Sequence, residues 1–422
     1  MSQVIIAGGG WAGCAAASAA RAQGAAVILL ERTDMLLGTG LVGGIMRNNG
    51  RFTAAEEMIA LGGGGLFQLV DGCCRHKNID FPGHSHASLY DIAKTPAAVG
   101  RYLQELGVRT AFHARVTAVE MADGALQAVR TADGRTFSGD VFIDATGTAG
   151  PMGNCTKYGN GCAMCVLRCP SFGGRVSLTG LCGVPEKAGR RADGTYGAMS
   201  GSCKLYKESL APWIVETLNR DGVAVIPLPP ALMENHLSIK ACQQYALPAF
   251  AENVVLLDTG HAKLMTPYFT LDRLRQIPGF ENARYEDPYA GGQGNSMRYF
   301  AMAPRDDTLR VDGVQNLFCA GEKAGLLVGH TEAIVTGVLA GCNAARTAAG
   351  RAPIKLPRET AVGDAIAFVR EQMETEAGMC KKYTFSGSVL FARMQARGSY
   401  TTDVAAIERR IADLGLTGIF AG

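Results

Sequence analysis

Short apolar runs punctuated by glycine dominate both ends of the chain. Residues 4–13 read V-I-I-A-G-G-G-W-A-G: an apolar run, then glycines, then an alanine-rich stretch over 14–23 closed by Gly24. The run predicts a buried strand and the stretch a helix. A second apolar strand is expected over 26–30, ending in Glu31, followed by a glycine-rich loop over 37–44 and a run of glycines at 62–65. Residues 96–106 have the spacing of an amphipathic helix closed by Gly107. Three strands follow, over 108–112, 116–121 and 125–130, with Asp123-Gly124 and Asp133-Gly134 as turns that favour positive φ. A last strand over 141–144 runs into Ala145-Thr146-Gly147, so a three-stranded β-meander returns to a parallel sheet.

From about 151 to 304 the texture changes: Pro, Cys and aromatic residues are more frequent and the periodicity is mixed. This predicts an inserted α+β substrate or cap domain. Near Thr308 the first pattern resumes, with 308–311, a turn at Asp312-Gly313, a strand in 316–322 and a helix over 331–348. Two or three helical segments follow Arg351. The expected architecture is α/β: a discontinuous Rossmann-like domain from 1–150 and 305–350, the inserted domain from 151–304, and a helical C-terminal extension from 351–422.

Composition narrows the picture only a little. The chain of 422 residues has 41 basic and 38 acidic side chains, a net charge of +3, and no block of Lys or Arg longer than short pairs such as Arg190-Arg191 and Lys381-Lys382. Nothing in it marks a nucleic-acid footprint, so a nucleic-acid partner is not expected. No apolar run is long enough for a membrane span; 324–345 is broken by His330, Glu332 and several glycines. The first residues pass straight into a strand, so no signal peptide is expected, and thirteen cysteines then suit a reducing cytoplasm. Oligomeric state is not legible.

The opening glycines carry chemistry. In G-x-G-x-x-G, Gly8 makes the tight turn, Gly10 lets backbone approach a pyrophosphate, and Gly13 lets helix and strand pack closely. The helix that follows turns its amides and the positive end of its dipole toward the phosphates. Glu31, 18 residues after Gly13, is placed to accept the ribose hydroxyls of an adenosine. In the loop over 37–44, Gly43 and Gly44 leave room for a flat cofactor.

Four blocks together resemble the two-dinucleotide-type FAD flavoproteins: Gly8 to Gly13 with Glu31, Ala145-Thr146-Gly147, Gly321-Glu322, and G-H-T-E-A-I-V-T-G-V-L-A-G over 329–341. More narrowly, G-G-G-W-A-G-C-A-A and the late block are similar to the glucose-inhibited division protein A family and its relative, the folate- and FAD-dependent tRNA uracil-5 methyltransferase. The resemblance covers roughly the first 150 residues and 308–348, and covers the middle poorly. It implies FAD, with Gly8, Gly10, Gly13 and Glu31 on the ADP half. It also implies Arg32 beside the adenine, the Val116 backbone bonding it, Gly147 near the pyrophosphate, and Gly321 and Glu322 on the ribitol side. By the same resemblance the helix beginning at Thr331, Glu332 and Ala333 aims its N-terminus at the pyrimidine edge of the isoalloxazine. A dipole there stabilises the anionic reduced ring. The other reading of 329–341 is close helix packing.

A cysteine constellation follows Gly147. Cys155, Cys162, Cys165 and Cys169, with Pro170 next, partly match a ferredoxin run, with six residues in place of two in the first gap. Four thiolates can hold a [4Fe–4S] cluster or zinc; Cys162 and Cys165 can instead form a catalytic redox dithiol; packing is the third reading. His84 and His86, two apart, would point the same way in a strand, as zinc ligands sometimes do, but such a pair is more often a polar loop. His330, at the helix start, can polarise flavin O2, donate a proton, or cap the helix.

The function favoured is an FAD-dependent oxidoreductase moving hydride or electrons to or from a small organic substrate. The alternatives are an FAD- and folate-dependent tRNA-modifying enzyme and a flavin/iron–sulfur electron-transfer protein. No second G-x-G-x-x-G follows a strand, so reducing equivalents come from an electron-transfer partner, from transient nicotinamide binding, or from the substrate itself.

Overall fold

The first strand, Gln3–Ala7, lies at the centre of a five-stranded parallel sheet ordered Leu317–Cys319, Val141–Asp144, Gln3–Ala7, Ala26–Leu30, Arg109–Ala111. The computed structural model of the chain describes residues 2–148, 171–191, 193–196, 198–199, 203–235, 237, 243–265, 270–286, 297–298 and 300–422. Val4, Ile5 and Ile6 are wholly buried, as expected for a strand covered on both faces. The fold is α/β with a parallel core and a helical C-terminal region.

The first helix, Trp11–Ala22, begins three residues earlier than its alanine content suggests. Gly13 therefore sits inside its first turn, where a Cβ would overlap the Gly8 carbonyl. The long helix His330–Ala348 packs against it, and side chains at Gly337 and Gly341 would overlap the carbonyls of Ala12 and Ala16. Small residues on both helices set this close approach.

The meander differs from expectation in membership. Arg109–Ala111 joins the parallel sheet as its edge, pairing with Ala26–Leu30. The three antiparallel strands are Val116–Ala122, Ala125–Thr131 and Thr136–Ser138, turned at Asp123-Gly124 and Gly134 with positive φ. The third strand is short, exposed at both ends and follows a turn, so its apolar signal is the single residue Phe137.

The region after the glycine-rich loop is structured, which its pattern did not announce. Helices Gly50–Ala60 and Gly65–Gly72 lie in the chain between the first strand of an antiparallel sheet, Ile45–Met46, and its other two, Cys74–Phe81 and His84–Tyr90, with His84–Tyr90 in the middle. That sheet shares an apolar cluster with the middle of the chain: Ile45, Phe81, Ala87 and Leu89 pack with Phe250, Val255, Leu257 and Met265. The middle itself carries a four-stranded antiparallel sheet, Cys203–Leu205, Ala262–Leu264, Asn253–Asp258 and Val223–Pro227, backed by helix Pro212–Asp221. The C-terminal helices are part of the main core, with Leu390, Met394, Ile411 and Phe420 in it. Glu57, wholly buried, accepts from the amides of Ala361 and Val362 and from Arg410, tying these helices to Gly50–Ala60. Among the described residues no helix is long and apolar enough to cross a membrane.

Candidate functional site

The parallel strands end on one groove. Its empty space, open mouth included, is about 1750 Å³. Glu31, Arg32 and Val116 line one stretch; Gly8, Gly10, Gly147, Gly321 and Glu322 line another; Gly43, His330, Ala333, Arg51, Gln244, Lys263 and Met265 line a third. Gly10 is extended and has open space where a Cβ would stand, so backbone is bared to the groove there. Gly8 has φ of 106°, and a side chain on it would overlap the Ala145 carbonyl.

Four expected cofactor residues do not face the groove. Gly13 is packed inside, as described above. Gly44 (φ 94°) lies against Thr259, which a Cβ would overlap. Thr331 is buried with its hydroxyl toward Met46, and Glu332, wholly buried, pairs with Arg51 at 3.1 Å. Glu332 also accepts from Thr384 Oγ1 (2.7 Å) and the Phe385 amide (2.8 Å). Its role is to brace Arg51, which does line the groove. The helix periodicity explains this: Gly329, His330 and Ala333 turn toward the groove while Gly337 and Gly341 turn toward the first helix. The 329–341 block thus has one side on the groove and another packed on the first helix.

Glu31 is 7% exposed, and its carboxylate accepts from the Gly9 amide at 2.8 Å and from the Thr33 amide and hydroxyl at 2.8 and 2.9 Å. A carboxylate has about four acceptor directions, so the glycine turn itself fixes this side chain with little capacity left over. Arg32 donates to the Gly173 carbonyl and Arg115 to that of Gly174 at 2.9 Å. Arg175 lies over Gly147.

The Ala145-Thr146-Gly147 turn is held by Asp144, a wholly buried acid that the apolar pattern did not single out. Its oxygens accept from the Thr146 amide and hydroxyl (3.1 and 2.6 Å) and from the Thr179 amide and hydroxyl (2.8 and 2.7 Å). Thr148 donates to Glu322 at 2.7 Å, and buried Lys323 reaches Ser177 (2.9 Å) and Glu186.

His330 begins the long helix, whose N-terminus has no side-chain cap. Its imidazole rests on Gly43, where any Cβ would overlap it. Tyr90 donates its one hydroxyl proton to the Gly40 carbonyl at 3.0 Å, so in the 3.3 Å contact with His330 Nδ1 the imidazole donates. The neutral ring then has its lone pair at Nε2 and gives up a proton only when doubly protonated.

His84 and His86 do not converge. His84 is buried between Asn48 and the Gln244 carbonyl, whereas His86, at φ 62° in an irregular stretch of the ladder, contacts Asn78. Burial, helped by Arg51, pushes the His84 pKa down to about 3, so the ring is neutral. Among the described residues no three His, Cys, Asp or Glu gather as a metal site. Cys155, Cys162, Cys165 and Cys169 lie outside the described residues.

The groove has the features an FAD requires: bared backbone at a strand-to-helix turn, an acid at the end of the second strand, and an uncapped helix N-terminus farther along. The family model described as FAD dependent oxidoreductase matches residues 3–152, and that described as Glucose inhibited division protein A matches 261–352. The second match begins well before residue 308 and so reaches into the middle of the chain. The chain is 26% identical over 418 residues to the tRNA uridine 5-carboxymethylaminomethyl modification enzyme of Thermus thermophilus, covering 85% of this chain and 66% of that one. It is 38% identical over 97 residues to the methylenetetrahydrofolate–tRNA-(uracil-5-)-methyltransferase of Enterococcus faecalis, covering 22% of this chain and 21% of that protein. The chain thus spans less than two thirds of these relatives. Its fold matches that of Aquifex aeolicus GidA with a TM-score of 0.69 at 18% identity, covering 98% of this chain and 73% of the other.

Proposed function

We propose that the chain, matched over residues 3–152 by the FAD dependent oxidoreductase model and over 261–352 by the glucose inhibited division protein A model, is an FAD-dependent oxidoreductase acting on a small organic substrate. The observation that carries this reading is the single groove that joins the glycine turn to the start of the long helix. FAD supplies the acceptance and donation of hydride or single electrons. Gly8 and Gly10 bring backbone to the pyrophosphate, Glu31 orders the turn beside the ribose, and Arg32 and Val116 flank the adenine. Gly147, Gly321 and Glu322 border the pyrophosphate and ribitol. The long helix directs its N-terminus at the pyrimidine edge, where its dipole favours negative charge. His330, held by Gly43 and Tyr90, places its imidazole at that edge. Residues 151–304 act as the cap over the ring and 351–422 as a brace for the main core.

An anaerobic titration of the FAD-loaded protein with NADH, NADPH and candidate organic substrates tests this. Bleaching of the flavin band by a small molecule supports it; a flavin that responds to none contradicts it. The second reading, a tRNA-modifying flavoenzyme, is favoured by the names of the Thermus and Enterococcus relatives. It requires tRNA binding with a steep salt dependence. A net charge of +3 spread over both signs favours the small-molecule reading, which predicts no tRNA binding at physiological salt.

A further inference from the structure

Arg175 is partly buried and lines the groove beside Gly147. A Cβ on Gly147 would stand 3.3 Å from its Nη1 and 3.9 Å from its Cζ, so the guanidinium lies over the end of the Ala145-Thr146-Gly147 turn. Among the described residues Arg175 has no hydrogen bond and no ion pair. The acids that line the groove are engaged elsewhere: Glu31 accepts from Gly9 and Thr33, and Glu322 from Thr148.

The backbone that carries Arg175 is tied on both sides. Before it, Arg32 and Arg115 donate to the carbonyls of Gly173 and Gly174, the second at 2.9 Å. Gly173 has φ of 77°, and a Cβ there would crowd Arg115. After it, buried Asp144 accepts from the Thr179 amide at 2.8 Å with one oxygen and from the Thr146 amide at 3.1 Å with the other. One acid thus joins the chain just past Arg175 to the turn beneath its side chain. Two of the three arginines here are spent on carbonyls, and the third is held over the groove with its charge uncommitted.

A cation drawn partly out of water without a counter-charge is unfavourable. A guanidinium fork suits phosphate oxygens, which it meets two at a time. The glycine turn has bared backbone and a helix dipole worth about half a charge, whereas each phosphate of a diphosphate brings a full one. Resting on the FAD reading, we propose that Arg175 is a cofactor-binding residue whose guanidinium pairs with the diphosphate of FAD. The segment that follows the Ala145-Thr146-Gly147 turn then supplies the full positive charge that the glycine turn lacks.

Oxidised FAD bears its full charges on the diphosphate, so its binding to the flavin-stripped chain, read by fluorescence titration at two salt concentrations, tests this. At about 0.1 M salt Arg175→Met should weaken FAD at least about tenfold. At about 1 M, where screening acts within a few ångströms, the gap between parent and variant should shrink severalfold. Arg175→Gln, which also removes the charge, should repeat the pattern. Stripped of flavin, both variants should unfold at the parent's temperature, because no described partner is lost. The proposal is overturned if both variants bind FAD within about threefold of the parent at the lower salt. It is equally overturned if their loss is the same factor at both salts, which would make Arg175 a packing residue. A parent chain that binds no FAD is a separate result and strikes the underlying reading instead.

Discussion

Individual residues separate the two jobs that glycines do here. Gly10 has nothing near where its side chain would be, so Gly10→Leu should leave stability within about 0.5 kcal/mol of the parent while filling the groove. FAD affinity is expected to fall about 100-fold, about 2.7 kcal/mol, in fluorescence titration. Gly43 is the opposite case. A methyl there displaces the His330 imidazole, and Gly43→Ala should cost about 1–3 kcal/mol in urea unfolding. His84 sets a pH dependence. Its pKa falls from the ordinary 6.5 to about 3, first by burial and then by the Arg51 charge. The unfolded chain therefore binds a proton that the native ring refuses, and stability drops as pH falls below about 6.5, by up to about 1.4 kcal/mol per unit. His84→Phe should show a shallower slope over pH 6.5 to 4 than the parent, whatever its absolute stability. An equal slope would place the titrating group elsewhere.

At the scale of elements, what was legible follows from how strongly one period dominates. The buried parallel strands and the long helix are apolar and glycine-bounded, and the strand over 141–144 appears where expected. The strand Cys74–Phe81 was illegible because most of its residues are polar and bulges break its alternation. Glu332 was misassigned because a helix N-terminal acid reads as ligand-facing until rotation about the helix is known; Gly329 shows the constraint, since a side chain there would overlap both Arg51 and Glu332. Arg175, Gln244 and Lys263, which line the groove, were missed because no local motif marks them; distant segments meet only in the fold. One buried acid ties the C-terminal helices to Gly50–Ala60. Removing Glu57 strands Arg410 and two helix amides, so Glu57→Ala should cost about 3–5 kcal/mol. Gly341→Val, which drives a side chain into the Ala16 carbonyl, should cost about 1–3 kcal/mol and loosen the helix pair that carries both the glycine turn and His330.

Across the whole molecule, the groove is bordered by the parallel sheet, the glycine-rich loop, the long helix and the middle sheet, so a ligand in it ties together segments far apart in sequence. A ligand that binds only the native state adds about 2.7 kcal/mol of stability at 100 times its Kd, and FAD should raise the unfolding midpoint accordingly. The claim on which everything else depends is that FAD lies along the turn at Gly8 and Gly10. Its most direct test is the flavin content and FAD affinity of the purified chain beside Gly10→Leu, with thermal unfolding recorded for both. The account predicts about one FAD per parent chain and marked loss in a variant that unfolds at the same temperature when both are stripped of cofactor. A parent chain that takes up no FAD when it is supplied, or a Gly10→Leu chain that retains it undiminished, would contradict the account.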